Sequence, residues 1–140
     1  MTLTYTNDIE RIAPFVWQRA DMKGRHISEF TGIGVERDGV LTGGAIYESY
    51  SGPGGCVEMH VAGDGVKWIT KTFLRAAFYY PFVQLGCNVV RGRVPSNNVH
   101  ALGFDLKLGF KIEHLLKNAR PGGDDWLLIM WRDDCRFLEK

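Results

Sequence analysis

Apolar and polar residues alternate strictly in residues 56–62, which predicts a β-strand with Glu58 and His60 on one face and apolar side chains on the other. Glycines in the segment 63–65 end this strand, and apolar residues at helical spacing then predict a helix from Val66. A strand that leads through glycines into a helix offers free backbone N–H groups and the positive end of a helix dipole. The segment therefore predicts an anion site, with a phosphate as its natural ligand.

The rest of the chain predicts alternating strands and helices. Asn7 or Asp8 can cap a first helix, in which Pro14 predicts either a kink or the start of a second short helix. A later helix carries apolar residues on one stripe: Val99, Leu102 and Leu106. Strands are predicted at 3–6, 30–37, 40–50, 56–62, 87–94, 110–119 and 125–132.

The order of these elements predicts the fold class. Asp38-Gly39 joins two predicted strands as an antiparallel hairpin, whereas the helix between strands 56–62 and 87–94 predicts a parallel pair. We therefore expect an α+β fold, with a mixed, mostly antiparallel sheet of six to seven strands flanked by three to four helices. Because the chain has 140 residues, we expect a single domain over residues 1–140.

Composition narrows the function classes. A formal net charge of +1 leaves no basic footprint for nucleic acid. The three cysteines lie far apart without a C-x-x-C pair or a histidine at metal-ligand spacing, so we expect reduced thiols and no metal site. No apolar run is long enough to span a bilayer, and the first residues lack the features of a signal peptide. We expect a cytoplasmic protein without a membrane partner.

Two segments resemble the GNAT superfamily of N-acetyltransferases. Asn98-x-x-Ala101 followed by KLGF at 107–110 is similar to that family's N-x-x-[AS]…K-x-G-F segment, and residues 123–132 are similar to its last strand. The resemblance covers nearly the whole chain and is weakest over residues 1–30. It is closest to the small single-domain members, some of them phage-borne, and it implies a GNAT-like sheet.

The resemblance also implies an activity. An acetyl-CoA-dependent N-acetyltransferase would move the acetyl group directly to a primary amine of a small molecule or peptide, without a covalent enzyme intermediate. The pantetheine arm of acetyl-CoA would lie between splayed strands 56–62 and 87–94, where the N–H of Val61 or Ala62 would polarise the thioester carbonyl. The oligomeric state stays open, a homodimer included. The implied cofactor-binding residues are Val61, Ala62, Gly63, Gly65, Val66, Lys67, Asn98 and Ala101.

Two positions depart from the family pattern. The segment 63–67, GDGVK, stands where the family has [QR]-x-x-G-x-[GA], so phosphate binding would depend on the amides of Gly65, Val66 and Lys67 and on the Lys67 ammonium. Asp105 stands where many members have a tyrosine seven residues after the asparagine, which leaves no phenolic general acid there.

Glu58 and His60 are the candidate catalytic bases, acting directly or through a water, because they share the face that should line the acceptor site. One alternative is that Glu58 only pairs with Arg91 or Arg93 on the adjacent strand and that His60 is a hydrogen-bonded core histidine. The glycines at 63–65 could likewise form an ordinary turn, since G-x-G alone is a weak signal.

Two function classes follow from these observations. The first is the N-acetyltransferase. The second is a catalytically inactive binding or interaction module with the same fold, which the missing glycine signature and the missing tyrosine favour. A dinucleotide-binding domain fits worse, because it needs successive parallel strands and the Asp38-Gly39 hairpin contradicts them.

Overall fold

The computed structural model describes residues 3–138 of the chain. A π-helical turn at Tyr80–Gln84 and 3₁₀ turns at Ile27–Glu29 and Arg132–Asp134 accompany the main elements. The helices are α1 (Ile9–Arg19), α2 (Lys71–Tyr79) and α3 (Val99–Leu108). The strands are β1 (Leu3–Thr6), β2 (Thr31–Arg37), β3 (Val40–Glu48), β4 (Cys56–Gly63), β5 (Val89–Pro95), β6 (Lys111–Arg120) and β7 (Gly123–Trp131).

The seven strands form one sheet in the order β1-β2-β3-β4-β5-β7-β6. β4 and β5 run parallel, and every other neighbouring pair is antiparallel. This mixed sheet with three α-helices confirms the predicted α+β class, and the observed strand ends differ from the predicted ones by one or two residues. None of the helices in residues 3–138 has the length and apolarity that a membrane span needs.

Local signals explain the turns that shape this sheet. Asp38 and Gly39 both have positive φ, 53° and 84°, which is the backbone of a type I′ hairpin turn. They join β2 to β3 as the sequence predicts. Gly109 follows α3 with φ 116° and donates its N–H to the carbonyls of Asp105 and Leu106, which ends the helix.

Helices cover the two faces of the sheet unequally. On one face, α1 packs its Ile12 and Val16 against Phe30 and Ile46. On the other face, α2 packs against a larger core of buried apolar residues that includes Val57 and Met59. Since side chains alternate along a strand, Glu58 and His60 point to the α1 side of the sheet, opposite Val57 and Met59.

The first helix is continuous through Pro14. α1 runs unbroken from Ile9 to Arg19, with the Asp8 side chain accepting the N–H of Glu10 as its cap, so a second helix does not start at Pro14. Proline removes a single backbone hydrogen bond at this position. Buried apolar residues on both sides of Pro14, Ile12 and Val16, hold the helix on the sheet and offset that loss.

The helix predicted from Val66 begins later, at Lys71. Trp68 explains the difference: its indole is only 4% exposed, and it lies so close to Gly43 and Gly63 that an added Cβ would fall 2.5 Å and 2.2 Å from its ring. The indole Nε1–H also donates to the carbonyl of Gly65 at 2.9 Å. Insertion of this side chain holds the segment after β4 as an irregular loop.

The stripe predicted for α3 is wrong at two of its three positions. Val99 is 76% exposed and Leu106 is 41% exposed, whereas Leu102 does pack against the core. The inward face of the helix instead carries Ala101 and Leu108. Asp105 lies on the same face, four residues after Ala101 and three before Leu108, and is partly buried.

Candidate functional site

β4 and β5 pair along only part of their length. Their parallel register joins Cys56 to Val89, Val57 to Val90 and Glu58 to Arg91, and it stops there. Beyond Glu58, β4 continues as far as Gly63 on its β3 side, and β5 continues on its β7 side. Because the two strands part while each keeps its other neighbour, one edge of the second half of β4 has no partner strand in the described part of the chain. We refer to this opening as the strand gap.

The loop after β4 carries unused hydrogen-bond donors. In the part of the chain described, no backbone acceptor is found for the N–H groups of residues 65–68, while the N–H groups of Asp64 and Ile69 on either side are bonded. Gly65 has φ 67°, and a Cβ there would meet no atom within 4 Å. Four consecutive free amides in an open turn fit an anion. The loop also brings Gly63, Val66 and Lys67 to this place.

Asn98 and Ala101 lie beyond β5, at the start of α3. The Asn98 side chain accepts the N–H of Ala101 at 3.1 Å and so caps the helix. Ala101 is partly buried against the main core. Capping is therefore one role of Asn98 that the geometry shows, and contact with a cofactor remains a prediction for both residues.

Glu58 and His60 belong to a buried network of charged groups on the α1 side of the sheet. His60 Nε2 lies 2.6 Å from Glu48 Oε2 and 3.2 Å from Glu58 Oε2. The carboxylates also receive guanidinium groups: Arg25 bonds Glu48, while Arg91 lies 3.1 Å and Arg93 3.3 Å from Glu58 oxygens. The ion pairs considered from the sequence for Glu58 are thus present together with the contact to His60.

Burial and hydrogen bonding oppose each other in this network. Burial acts to raise the pKa of Glu48 and of Glu58, but the hydrogen bond to His60 and the nearby guanidinium groups outweigh it and hold each pKa at about 2. Burial acts to lower the pKa of His60, and the two carboxylates reverse this effect and raise it. His60 therefore keeps its proton more firmly than a free imidazole does.

The three groups also have the spacing of a metal site, since their ligand atoms lie within 4.8 Å of one another. Each carboxylate, however, already carries a guanidinium partner. A divalent cation would have to displace those arginines or sit beside their positive charge. We interpret the cluster as an ion-pair network that orients His60.

The ring of His60 leaves one nitrogen for chemistry. Both carboxylates contact Nε2, and within residues 3–138 no hydrogen-bond partner is found for Nδ1. With the proton held on Nε2 by the carboxylates, a neutral His60 exposes the lone pair of Nδ1. This is the arrangement of a histidine base oriented by an acid.

His60 and Glu58 line a cleft of about 280 Å³ on the α1 side of the sheet. The loop after α1, the end of β5 and the β6–β7 hairpin form its other walls. We refer to it as the α1-side cleft. A larger groove of about 1000 Å³ lies along α2 and the π-helical turn, where Arg75, Tyr79 and Val83 contribute to its lining, and none of the predicted site residues line it.

Asp105 was not among the residues predicted to act in the site. It lies on α3, close enough to His60 for the imidazolium charge to act on it. Burial raises the pKa of Asp105 to about 7, and the charge of His60 opposes that shift. No hydrogen bond to the Asp105 carboxyl is found within the described residues, so this group can exist as a neutral acid near pH 7.

Sequence patterns signalled some of these residues and missed others. Glu48 was missed because its role depends on the register of β3 and β4, which places it directly opposite Glu58. Asp105 gave one usable signal, its spacing of four from Ala101 and three from Leu108 on one helix face.

Comparison with known proteins supports the fold. No protein-family model matches the sequence, and no curated protein is found to be related to it by sequence. The structure is similar to a mutant of spermidine N-acetyltransferase from Vibrio cholerae, with TM-score 0.75, 15% identity and coverage of 98% of this chain and 96% of that chain.

Two further solved structures have the same architecture. One is the Vibrio cholerae spermidine N-acetyltransferase in complex with CoA and spermine, with TM-score 0.71, 15% identity and 98% of both chains covered. The other is an IAA acetyltransferase from Bacillus cereus, with TM-score 0.73, 14% identity, and 93% of this chain and 99% of that chain covered. The chain therefore has the fold of the GNAT acetyltransferases, which confirms the resemblance found in the sequence.

Proposed function

We propose that the protein is an acetyl-CoA-dependent N-acetyltransferase that transfers the acetyl group directly to a primary amine. The observation that carries this proposal is the strand gap, because β4 and β5 pair over three residues and then part. An unpaired strand edge inside a sheet can pair with an extended ligand that has amide groups of its own. The pantetheine arm of acetyl-CoA has that shape and those groups.

The loop after β4 fits the other end of the same molecule. The free amides of residues 65–68 can hold a diphosphate, and the Lys67 ammonium adds charge. Gly63 permits the close approach of Trp68 that holds the loop, and Gly65 leaves the cradle open. The arm then runs along Val61 and Ala62, where the backbone N–H of one of these two residues polarises the thioester carbonyl.

Acetyl-CoA supplies an acetyl thioester, whose C–S bond breaks as the C–N bond to the amine forms. Neutral His60 accepts the proton of the amine nitrogen at Nδ1, while Glu48 and Glu58 stabilise the resulting imidazolium. Asp105 donates its proton to the leaving sulfur. These two steps balance the charge without a covalent enzyme intermediate, and Asn98 and Ala101 contact the arm from the β5 side.

A binding module without catalysis is the second candidate function. One observation favours it: Glu58 is held in ion pairs with Arg91 and Arg93, and the two carboxylates raise the pKa of His60, so both groups are tied up in the network. This candidate and the enzyme share the strand gap and differ only in turnover. Mass-spectrometric detection of acetylated amines, with acetyl-CoA as donor, separates them.

Calorimetric titration with CoA tests the proposed binding mode. Gly65→Asp places a carboxylate in the open turn, where it repels a diphosphate, and we expect CoA affinity to fall at least about tenfold. Gly39→Asp is the matched control, because Gly39 also has positive φ and no atom near its would-be Cβ, yet lies in the β2–β3 turn. Equal affinity in the two variants would contradict the cradle at residues 65–68.

A further inference from the structure

The charged groups of the α1-side cleft are unequally available to a ligand. Glu58 and Asp125 are only 2% and 3% exposed, and arginines pair with both: Arg91 and Arg93 with Glu58, and Arg120 Nε with Asp125 at 2.6 Å. Among the carboxylates that line the cleft, this leaves Asp21 as the exposed one. The two buried carboxylates pair with arginines of the protein itself and are not available to a ligand.

The cationic side chains of the cleft have N–H groups that the protein's own carboxylates do not use. Arg93 uses only Nη2 toward Glu58, and Arg120 uses only Nε toward Asp125, so other N–H groups of both guanidinium groups have no partner among residues 3–138. Lys23 is exposed at the edge of the cleft and forms no ion pair within those residues. The carboxylates thus orient two guanidinium groups without exhausting them.

Charge near the reacting atoms points in the same direction. The amine would face His60, and the permanent cations Lys23, Arg93 and Arg120 lie on the walls of the same cleft. A cation in this cleft meets like charge, whereas an anion meets oriented donors. The same positive field lowers the pKa of an ammonium group bound beside it and so favours the neutral amine that acetyl transfer needs.

We propose that the acceptor is an amine that carries an anionic group, a carboxylate or a phosphate, which Lys23, Arg93 and Arg120 bind while the amine faces His60. The inference rests on the proposed function for its amine and names the acceptor class. It sets this chain apart from the spermidine N-acetyltransferases of the same fold, because a polycation such as spermidine finds Asp21 as its one exposed carboxylate on the cleft wall.

Matched acceptor pairs test the anionic group alone. β-Alanine and β-alaninamide differ in one carboxylate, and phosphoethanolamine and ethanolamine differ in one phosphate. We expect kcat/KM to be at least about tenfold higher for the anionic member of one pair, and the pair that shows it identifies the anion. Spermidine should be a poorer acceptor than either anionic amine.

Variants locate the preference in the cleft. Lys23→Gln removes an exposed charge that has no ion pair to lose, and it should raise KM for the anionic acceptor about three- to fivefold and leave KM for its neutral partner and kcat unchanged. Arg93→Gln should act in the same direction. Lys117→Gln is the control, since Lys117 is an exposed lysine of β6 that does not line the cleft.

Calorimetry with CoA and each acceptor gives a readout that does not need turnover. Acetylation of β-alaninamide or spermidine as efficient as that of the anionic amines overturns the inference and leaves the transferase standing. Absence of turnover with every amine, together with CoA binding, overturns the proposed function instead. In that case tighter binding of β-alanine than of β-alaninamide still supports an anion site, and equal binding overturns it.

Discussion

His60 and Asp105 lie close enough for their charges to interact, yet they meet opposite surroundings. Burial disfavours the charged form of both groups. His60, on β4, has two carboxylates at its Nε2, which reverse the effect of burial and raise its pKa. Asp105, on α3, has no such partner among residues 3–138, so burial outweighs the charge of His60 and raises the pKa of Asp105 to about 7. Partners therefore decide whether a buried group is shifted toward its charged form or toward its neutral form.

Under the proposed function, this difference suits each group to one of the two proton transfers. A histidine with carboxylates at one nitrogen and a free second nitrogen is suited to accept a proton once it is neutral. A carboxyl that stays protonated near pH 7 is suited to donate one. We therefore expect a bell-shaped pH profile, whose acidic limb reports His60 and whose alkaline limb reports Asp105.

Replacement of His60 tests the base side and has the largest expected effect. His60→Gln keeps an N–H donor for Glu48 but cannot accept a proton, and kcat should fall by about 10² to 10³ while CoA affinity stays unchanged. The acidic limb, which in the wild type lies above the pKa of 6.5 of free imidazole, should vanish. His114→Gln on the exposed strand β6 is the control, and equal kcat in both variants would remove His60 from the mechanism.

Stability measurements test the acid side without turnover. The folded-state pKa of Asp105, about 7, lies above the 3.8 of a free aspartate, so its contribution to stability is fully present below pH 3.8 and is lost as pH rises through 7. Asp105→Asn cannot ionise. Near pH 8 the variant should be more stable than the wild type by roughly 4 kcal/mol in free energy of unfolding, and near pH 4 most of the gain should disappear. Urea titrations at both pH values measure the difference, and a gain of the same size at both would contradict a buried, unpaired carboxyl.

The same variant has a smaller kinetic effect. Without the Asp105 proton, the leaving thiolate takes its proton from water, so kcat should fall about tenfold and the alkaline limb should disappear. Asp124→Asn, at the start of β7 and not part of the lining of the α1-side cleft, provides the comparison. An unchanged alkaline limb in Asp105→Asn would assign that limb to another group.

The elements that local signals determine were predictable from the sequence. The Asp38-Gly39 turn, the Asn98 cap and the Gly109 stop depend on residues next to each other in the chain. The start of α2 was not predictable in this way, because Trp68 contacts glycines of β3 and β4 that are far away in sequence. Helical periodicity continued through the loop and suggested a start five residues too early.

The site residues differ in the same way: those that local sequence patterns determine were predictable, and those that depend on distant contacts were not. Glu58 and His60 were identified because strand alternation places them on one face. Glu48 became visible only through the register of β3 with β4. To predict where Asp105 lies, one must know which face of α3 packs on the sheet. Val99 and Leu106 indicated the wrong face, because both are apolar and yet exposed. Residue type alone predicted inward positions for them.

Amide hydrogen exchange, measured residue by residue with and without CoA, tests the strand gap most directly. In the free protein, the amides of residues 59–63 that do not bond to β3 should exchange fast, because β5 leaves them without a partner. CoA should slow their exchange at least about tenfold in the wild type and much less in Gly65→Asp at the same CoA concentration. Slow exchange of these amides before CoA is added, or no change after binding is saturated, would contradict the account.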